Sequence, residues 1–243
     1  MVQADGLYKL IITEFIKGNA FGRFLFATES YMRYTHVLWD FNGTILDDID
    51  ICIESVNTLL LRRNLPAVES GEHYRSVFRF PIIKYYEKLG FDFSAEPFSE
   101  LAEEWVNEYM ARVERAKPMD GSVKMLEKIH QSRLGQVLVS ATERDMLVKQ
   151  IDMLGIAHLF DSVHGLDNIH AVNKTLIARA WREKNMQAKV LFVGDTDHDF
   201  ETASAIGADC VLFCRGHQSK SALEKLGCPL IESFCELDKI IFA

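Results

Sequence analysis

From His36 onward, short β-branched and aliphatic runs alternate with longer amphipathic segments. Strands are predicted at HVLWDF (36–41), GQVLVSA (135–141), FDSVHG (160–165), AKVLFVGD (188–195) and CVLFC (210–214). The run VLFVG is apolar without a break, as in a strand covered on both faces of a parallel sheet. Amphipathic stretches predict helices over Ser122–Ser132, Arg144–Leu154, Lys174–Lys184 and Phe200–Ile206. This βαβα rhythm predicts an α/β fold with a doubly wound parallel sheet and right-handed crossovers.

The stretch between the first two strands is too long for one crossover. It contains three helical runs, IDICIESVNTLLLRR, PIIKYYEKLGF and FSELAEEWVNEYMARVERAK, with Pro66, Pro81, Pro97 and Pro118 near their boundaries. Residues 48–117 are therefore read as a small helical domain inserted into a core formed by 32–47 and 118–243. Such an insertion requires its two ends to lie close together. The stripe IIKYYEKLGF is read as packing between the inserted helices. Residues 1–31 are apolar but interrupted by Asp5, Lys9, Glu14 and Lys17. They match no signal peptide and are read as an extension ahead of a domain that begins near Met32.

Composition narrows the function classes. At 243 residues, 48% apolar and 26% charged, the chain can bury a sheet of this size. Its net charge of −8, with both signs mixed, disfavours extended nucleic-acid contact. No run reaches the roughly 20 apolar residues of a membrane span. Five cysteines without CxxC spacing read as reduced thiols of a cytoplasmic protein. A monomer and a homodimer both fit this composition.

The predicted strand ends carry the chemistry. Asp40 follows the first strand, Ser140 the second, and Asp195 with Asp199 the fourth, while Lys174 opens the helix after the third. Ligands of open α/β sheets bind outside these carboxyl ends. Carboxylates there suit Mg²⁺, a lysine and a hydroxyl suit a phosphoryl group, and one carboxylate can attack phosphorus. Blander readings exist for each residue. Asn42-Gly43 is a strong hairpin signal. Ser140, with Glu143, could cap a helix, as could Asp195 or Asp197. Asp47 and Asp48 are read as caps of the first inserted helix, outside the site, and His198 as facing solvent.

The segments DFNGT (40–44), VLVSAT (137–142), NKTLIARA (173–180) and LFVGDTDHDFETASAIGA (191–208) resemble, in order, the four motifs of the haloacid dehalogenase-like hydrolases. The helical insert resembles that superfamily's α-helical cap, and the pattern is most similar to the phosphoglycolate-phosphatase-like branch. The resemblance implies a Rossmann-like core and a Mg²⁺-dependent phosphatase of small phosphorylated metabolites, working through an aspartyl-phosphate. It makes Asp40 the nucleophile and a metal ligand, with Asn42 (through its backbone carbonyl), Asp195 and Asp199 completing the metal site. Lys174 would steady Asp40 and, with Ser140 and Ala141, hold the phosphoryl group. Gly43 and Thr44 would shape the substrate loop, and Arg79 could reach substrate from the cap.

One position departs from the pattern. Typical phosphatases of the superfamily carry a second aspartate as general acid/base where this chain has Asn42, and an amide cannot exchange that proton. The departure leaves two alternatives open. One is a phosphate-binding regulatory protein with little turnover. The other is a phosphonatase or dehalogenase, the former needing a cap lysine such as Lys84 or Lys88.

Overall fold

The computed structural model describes residues 33–167 and 174–242. The predicted extension 1–31, Met32 and the segment just before Lys174 lie outside the described residues. From Arg33 onward the chain forms one compact unit.

Its centre is a six-stranded parallel sheet. The first strand, β1 (His36–Trp39), lies between β4 (Gly135–Glu143) and β6 (Val190–Gly194). Beyond β4 comes β5 (Ser162–Leu166), and beyond β6 come β7 (Asp209–Phe213) and β8 (Leu230–Ile231). The order β5-β4-β1-β6-β7-β8 reverses direction at β1, so the crevice of the sheet opens where Asp40 leaves it.

Alternation along the strands explains the layers. Leu38, Val137, Val139 and Phe192 form one buried cluster with Ala178 and Trp181 of the helix Lys174–Lys184 and Ala203 of the helix Asp197–Ala205. On the other face, Trp39 and Phe213 pack against Phe234 of the last helix, Phe234–Phe242. The buried Trp39 indole donates to Gln136 Oε1 (3.2 Å), and Gln136 in turn donates to the carbonyls of Leu126 and Leu159. A polar pair thus enters the core fully satisfied, which removes the cost of burying it.

The insertion is helical, as predicted. It comprises α1 (Ile49–Arg62), α2 (Gly71–Val77), α3 (Ile82–Lys88) and α4 (Phe98–Met110). Pro81 and Pro97 stand immediately before α3 and α4, where a missing N–H costs nothing. The short antiparallel pair β2 (Leu46–Asp47) and β3 (Lys117–Pro118) joins the two ends of the insertion. This pairing supplies the closeness of ends that an insertion needs.

Several boundaries differ from the sequence-based expectation. Strand β1 ends at Trp39, two residues early, because Asp40 and Phe41 turn into the loop that follows. Strand β4 continues to Glu143 through a register irregularity after Val139. The helix after β6 starts at Asp197 rather than Phe200. Helix α2, strand β8 and the last helix were not predicted. Helix α2 and β8 are too short for a periodic signal. Among the described residues no helix is long and apolar enough to cross a membrane, and all five cysteines are free.

Phe192 is fully buried between sheet and helices. Phe192→Ala is expected to destabilise the protein by about 3–5 kcal/mol, read as a lower urea midpoint at unchanged slope.

Candidate active site

Asp40 sits directly beyond β1, its N–H donating to the carbonyl of Val193 on β6 (2.9 Å). The chain then folds back tightly, with the Phe41 carbonyl accepting from the N–H groups of Ile45 (2.8 Å) and Leu46 (2.9 Å). Gly43 has φ +74°, and a Cβ there would stand 2.4 Å from both Asp195 Oδ2 and the His217 ring. The Asn-Gly pair is therefore no hairpin turn between paired strands. Glycine is needed for its left-handed backbone and because two site residues close over it.

Three carboxylates meet beneath this loop. Ligand oxygens of Asp40, Asp195 and Asp199 lie within 4.8 Å of one another, all buried. The ammonium of Lys174 stands among them, 2.5 Å from Asp40 Oδ1 and also bonded to Asp199 Oδ1. Burial works against the charge of Lys174, but Asp199 and Asp40 outweigh it and raise the lysine's pKa above its ordinary value. Burial also pushes Asp40 well above the usual carboxylate range, opposed by Lys174 and reinforced by Asp199 and Asp195. Asp195 is pushed up to about 6 by burial and the charge of Asp199, against the lowering effect of His217. Asp199 is driven up by burial but held below its ordinary value by Lys174 and Thr196.

Asp199 has a second task. Its Oδ2 accepts from the N–H of Thr196 (2.9 Å) and of Asp195 (3.1 Å), closing a capping box with Thr196 at the start of helix Asp197–Ala205. The cap is thus Thr196, not Asp195 or Asp197. Asp195 is held from two sides, by the Thr44 hydroxyl on Oδ1 (3.1 Å) and the His217 N–H on Oδ2 (2.6 Å).

Asn42 is fixed at both ends of its amide. Its Nδ2 donates to Asp48 Oδ2 (2.8 Å) and to the Tyr109 hydroxyl (3.0 Å), and its Oδ1 accepts from the Thr142 hydroxyl (2.8 Å). Asp48 precedes α1, yet its side chain makes no cap bond. It turns into the site instead, which corrects its reading as a helix cap. There its carboxylate also accepts from Tyr109 (2.7 Å) and the Gly43 N–H (3.2 Å), and lies 3.3 Å from His217 Nε2. Burial raises the pKa of Asp48, but His217, Asn42 and Tyr109 together bring it below the ordinary carboxylate value. Burial lowers that of His217, but Asp48 reverses this and lifts it to about 9. The Tyr74 hydroxyl of α2 completes the chain, 2.9 Å from His217 Nδ1.

A cavity of 660 Å³ opens above Asp40, between the sheet and the inserted helices. Asp40, Asn42, Ser140, Ala141, Lys174 and Asp195 line it. Ser140 caps no helix; it accepts from the Thr142 N–H (3.0 Å), and Glu143 is the cap of the helix Arg144–Met153. Thr44 is fully buried beside Asp195 and does not reach the cavity wall. Arg79 is exposed, its Nε turned to the Val77 carbonyl, and lies outside the wall. Lys84 and Lys88, the candidate imine lysines, bond to Glu87 and the Ser76 carbonyl instead. His198 does not face solvent; its ring lies 4.8 Å from Phe80 and joins the wall. The α3 stripe is likewise more than packing, since Ile82, Ile83, Tyr85 and Tyr86 also line the cavity.

A parallel sheet with a buried lysine–carboxylate cluster at its switch point and a helical insertion above it defines a doubly wound α/β core with a cap. A family model for haloacid dehalogenase-like hydrolases matches residues 37–213, and the chain belongs to this family. A haloacid dehalogenase-like hydrolase from Streptococcus pneumoniae has a similar structure, with TM-score 0.73 and 17% identity over 86% of this chain and 98% of that one. So has protein tyrosine kinase A from Mycobacterium tuberculosis, with TM-score 0.73 and 18% identity over 86% and 99%. A predicted phosphoglycolate phosphatase from Haemophilus somnus gives TM-score 0.70 and 15% identity over 86% and 98%. No curated protein matches the chain.

Two outcomes follow from this geometry. Gly43→Ala is expected to cost at least about 1–2 kcal/mol from its backbone conformation alone, with further loss from the clash on Asp195, measured by urea denaturation. The second concerns the Asp48–His217 pair without added divalent cations. Because the His217 pKa is raised in the folded state, its contribution is full below pH 6.5 and is lost as pH rises through about 9. Stability is expected to fall across that window, and His217→Gln to flatten the slope.

Proposed function

We propose that the chain is a Mg²⁺-dependent phosphatase acting on a small phosphorylated compound through an aspartyl-phosphate on Asp40. The observation that carries this reading is the pairing of Lys174 with Asp40 at the floor of the cavity, beside Asp195 and Asp199. The donors are hard oxygens crowded into one buried place, and Asp40 and Asp195 are both raised in pKa there. This is the environment a small divalent cation stabilises. Asp40, Asp195 and the Asn42 main-chain carbonyl would hold it, with Asp199 positioning Lys174 and the loop Asp195–Thr196. When bound, the cation offsets the charge repulsion between nucleophile and phosphate. The predicted phosphoglycolate phosphatase among the structural neighbours supports this reaction class.

In the first half-reaction an Asp40 carboxylate oxygen forms a bond to phosphorus as the ester P–O bond breaks. The alcohol leaves as an alkoxide or takes a proton on departure. In the second, water attacks the phosphorus, Asp40 leaves, and inorganic phosphate is released. Lys174 holds Asp40 in place and meets the phosphoryl oxygens together with Ser140 and the Ala141 backbone. The inserted helices act as the cap that excludes water.

Asn42 supplies no proton to the leaving alcohol and takes none from water. Its amide serves Asp48 instead, donating to a carboxylate that an aspartate at position 42 would repel. In Asn42→Asp the two facing carboxyls share a proton, which gives the site an acid it otherwise lacks. That variant is expected to hydrolyse alkyl phosphates faster, on the order of 10²-fold within the range for general acid–base help. An unchanged or lower rate counts against the role assigned to position 42.

Rapid quenching tests the central step. Covalent phosphate on Asp40 is expected in the wild type and absent in Asp40→Asn. A protein that binds vanadate and Mg²⁺ but never carries covalent phosphate would be a binding module rather than an enzyme.

A further inference from the structure

Away from Asp40 the cavity changes character. Its wall above the carboxylates is made by half-buried apolar side chains, among them Phe78, Phe80, Ile82, Trp105, Val106 and Met146. Rings dominate on the cap side. Tyr74, Phe78 and Tyr85 lie with centroids 5.3–5.8 Å apart, and Trp105 stacks on Tyr109 at 4.9 Å. Such a surface is stabilised by apolar contact and gains little from a polar substrate.

Charge sharpens the picture. Among the described residues Lys174 is the one lysine or arginine in the wall, and Asp40 and Asp199 already engage it. Of the two described wall histidines, His217 is held by Asp48 and Tyr74, and His198 lies against Phe80 with Glu201 Oε2 3.5 Å from its Nδ1. Among the described residues no wall cation is left to receive a second anionic group. The remaining wall acids, Glu143, Asp197 and Glu201, would repel one. They do not form a cation site either. Glu143 accepts from the N–H groups of Asp145 and Met146, and Asp197 pairs with Gln218. The wall also carries aliphatic side chains, Ile82, Ile83, Val106 and Leu166 among them, unlike a cage of aromatic faces around an ammonium. The 660 Å³ volume is also far more than a phosphate and two carbons occupy.

We propose that the alcohol esterified to phosphate is an uncharged, ring-bearing apolar group seated between α3, α4 and the helix Arg144–Met153, and that phosphoglycolate is a poor substrate. The turnover part rests on the phosphatase reading; the binding part does not.

The test uses primary alkyl phosphates of matched intrinsic reactivity, with Mg²⁺: 2-(2-naphthyl)ethyl phosphate, ethyl phosphate, phosphoglycolate and phosphocholine. In parallel, a naphthylalkyl phosphonate and phosphonoacetate are titrated against the fluorescence of Trp105, which lines the cavity while Trp39 and Trp181 are in the core. Naphthylethyl phosphate is expected to lead in kcat/KM by about tenfold or more, equivalent to about 1.4 kcal/mol. The naphthyl phosphonate is expected to bind more tightly by a similar factor. Trp105→Ala should shrink the kcat/KM ratio of naphthylethyl phosphate to phosphoglycolate, and Trp105→Phe should keep most of it.

Equal or better use of phosphoglycolate or phosphocholine overturns the proposal and leaves the phosphatase reading standing. Selective binding of the naphthyl phosphonate without turnover of any ester supports the apolar pocket and overturns the phosphatase reading. Neither selectivity nor turnover overturns both.

Discussion

The ammonium of Lys174 is the interaction on which the site depends. A parallel sheet that delivers several acids to one crevice gathers like charges in a place without water, and each would be driven toward its neutral form. Lys174 reaches two of them at once, Asp40 from β1 and Asp199 from the helix after β6. One charge thereby links the end of β1 to the neighbouring strand-helix unit. The backbone joins in, since N–H groups of Asp195, Thr196 and His217 point at carboxylate oxygens. Glycines at 43, 194 and 216 clear the space, for a Cβ at any of them would press within 2.4 Å of Asp195 or Asp199.

A second centre of charge ties the cap to this core. Asp48 stands where the chain enters the insertion and collects donors from three directions: Asn42 in the nucleophile loop, Tyr109 on α4, and His217 beyond β7. Tyr74 of α2 extends the chain through His217, while Arg75 beside it donates to the carbonyls of Gly216 and Arg215. Asn42 therefore belongs to this network as much as to the catalytic loop. An amide can donate to Asp48 and accept from Thr142 at the same time; an ionised aspartate cannot donate at all.

Much of the architecture was legible in the chain. The apolar run VLFVG reads as an interior parallel strand, as it is, and acids after strand ends announced the crevice. The helices Ser122–Ser132 and Lys174–Lys184 lie as periodicity predicted, because each has one apolar stripe to bury. Local signals misled where a side chain had two plausible local uses. Asp48 sits at a helix start, where a carboxylate is usually a cap, and Ser140 with Glu143 had the spacing of a capping box. Arg79, a candidate to reach substrate from the cap, is exposed and donates to the Val77 carbonyl. His217 carried no motif, and its partners lie 143 and 169 positions away in sequence, so only folding could bring them together.

The sequence by itself determined the sheet, the insertion and which acids stand at the strand ends, since these follow from hydrophobic period and from residues placed there. Which acids share a lysine, which carboxylate faces Asn42, and how apolar the cavity becomes were decided by tertiary structure. Those properties arise from side chains distant in sequence meeting in one buried cluster, where one proton or one charge more or less changes the balance of the whole.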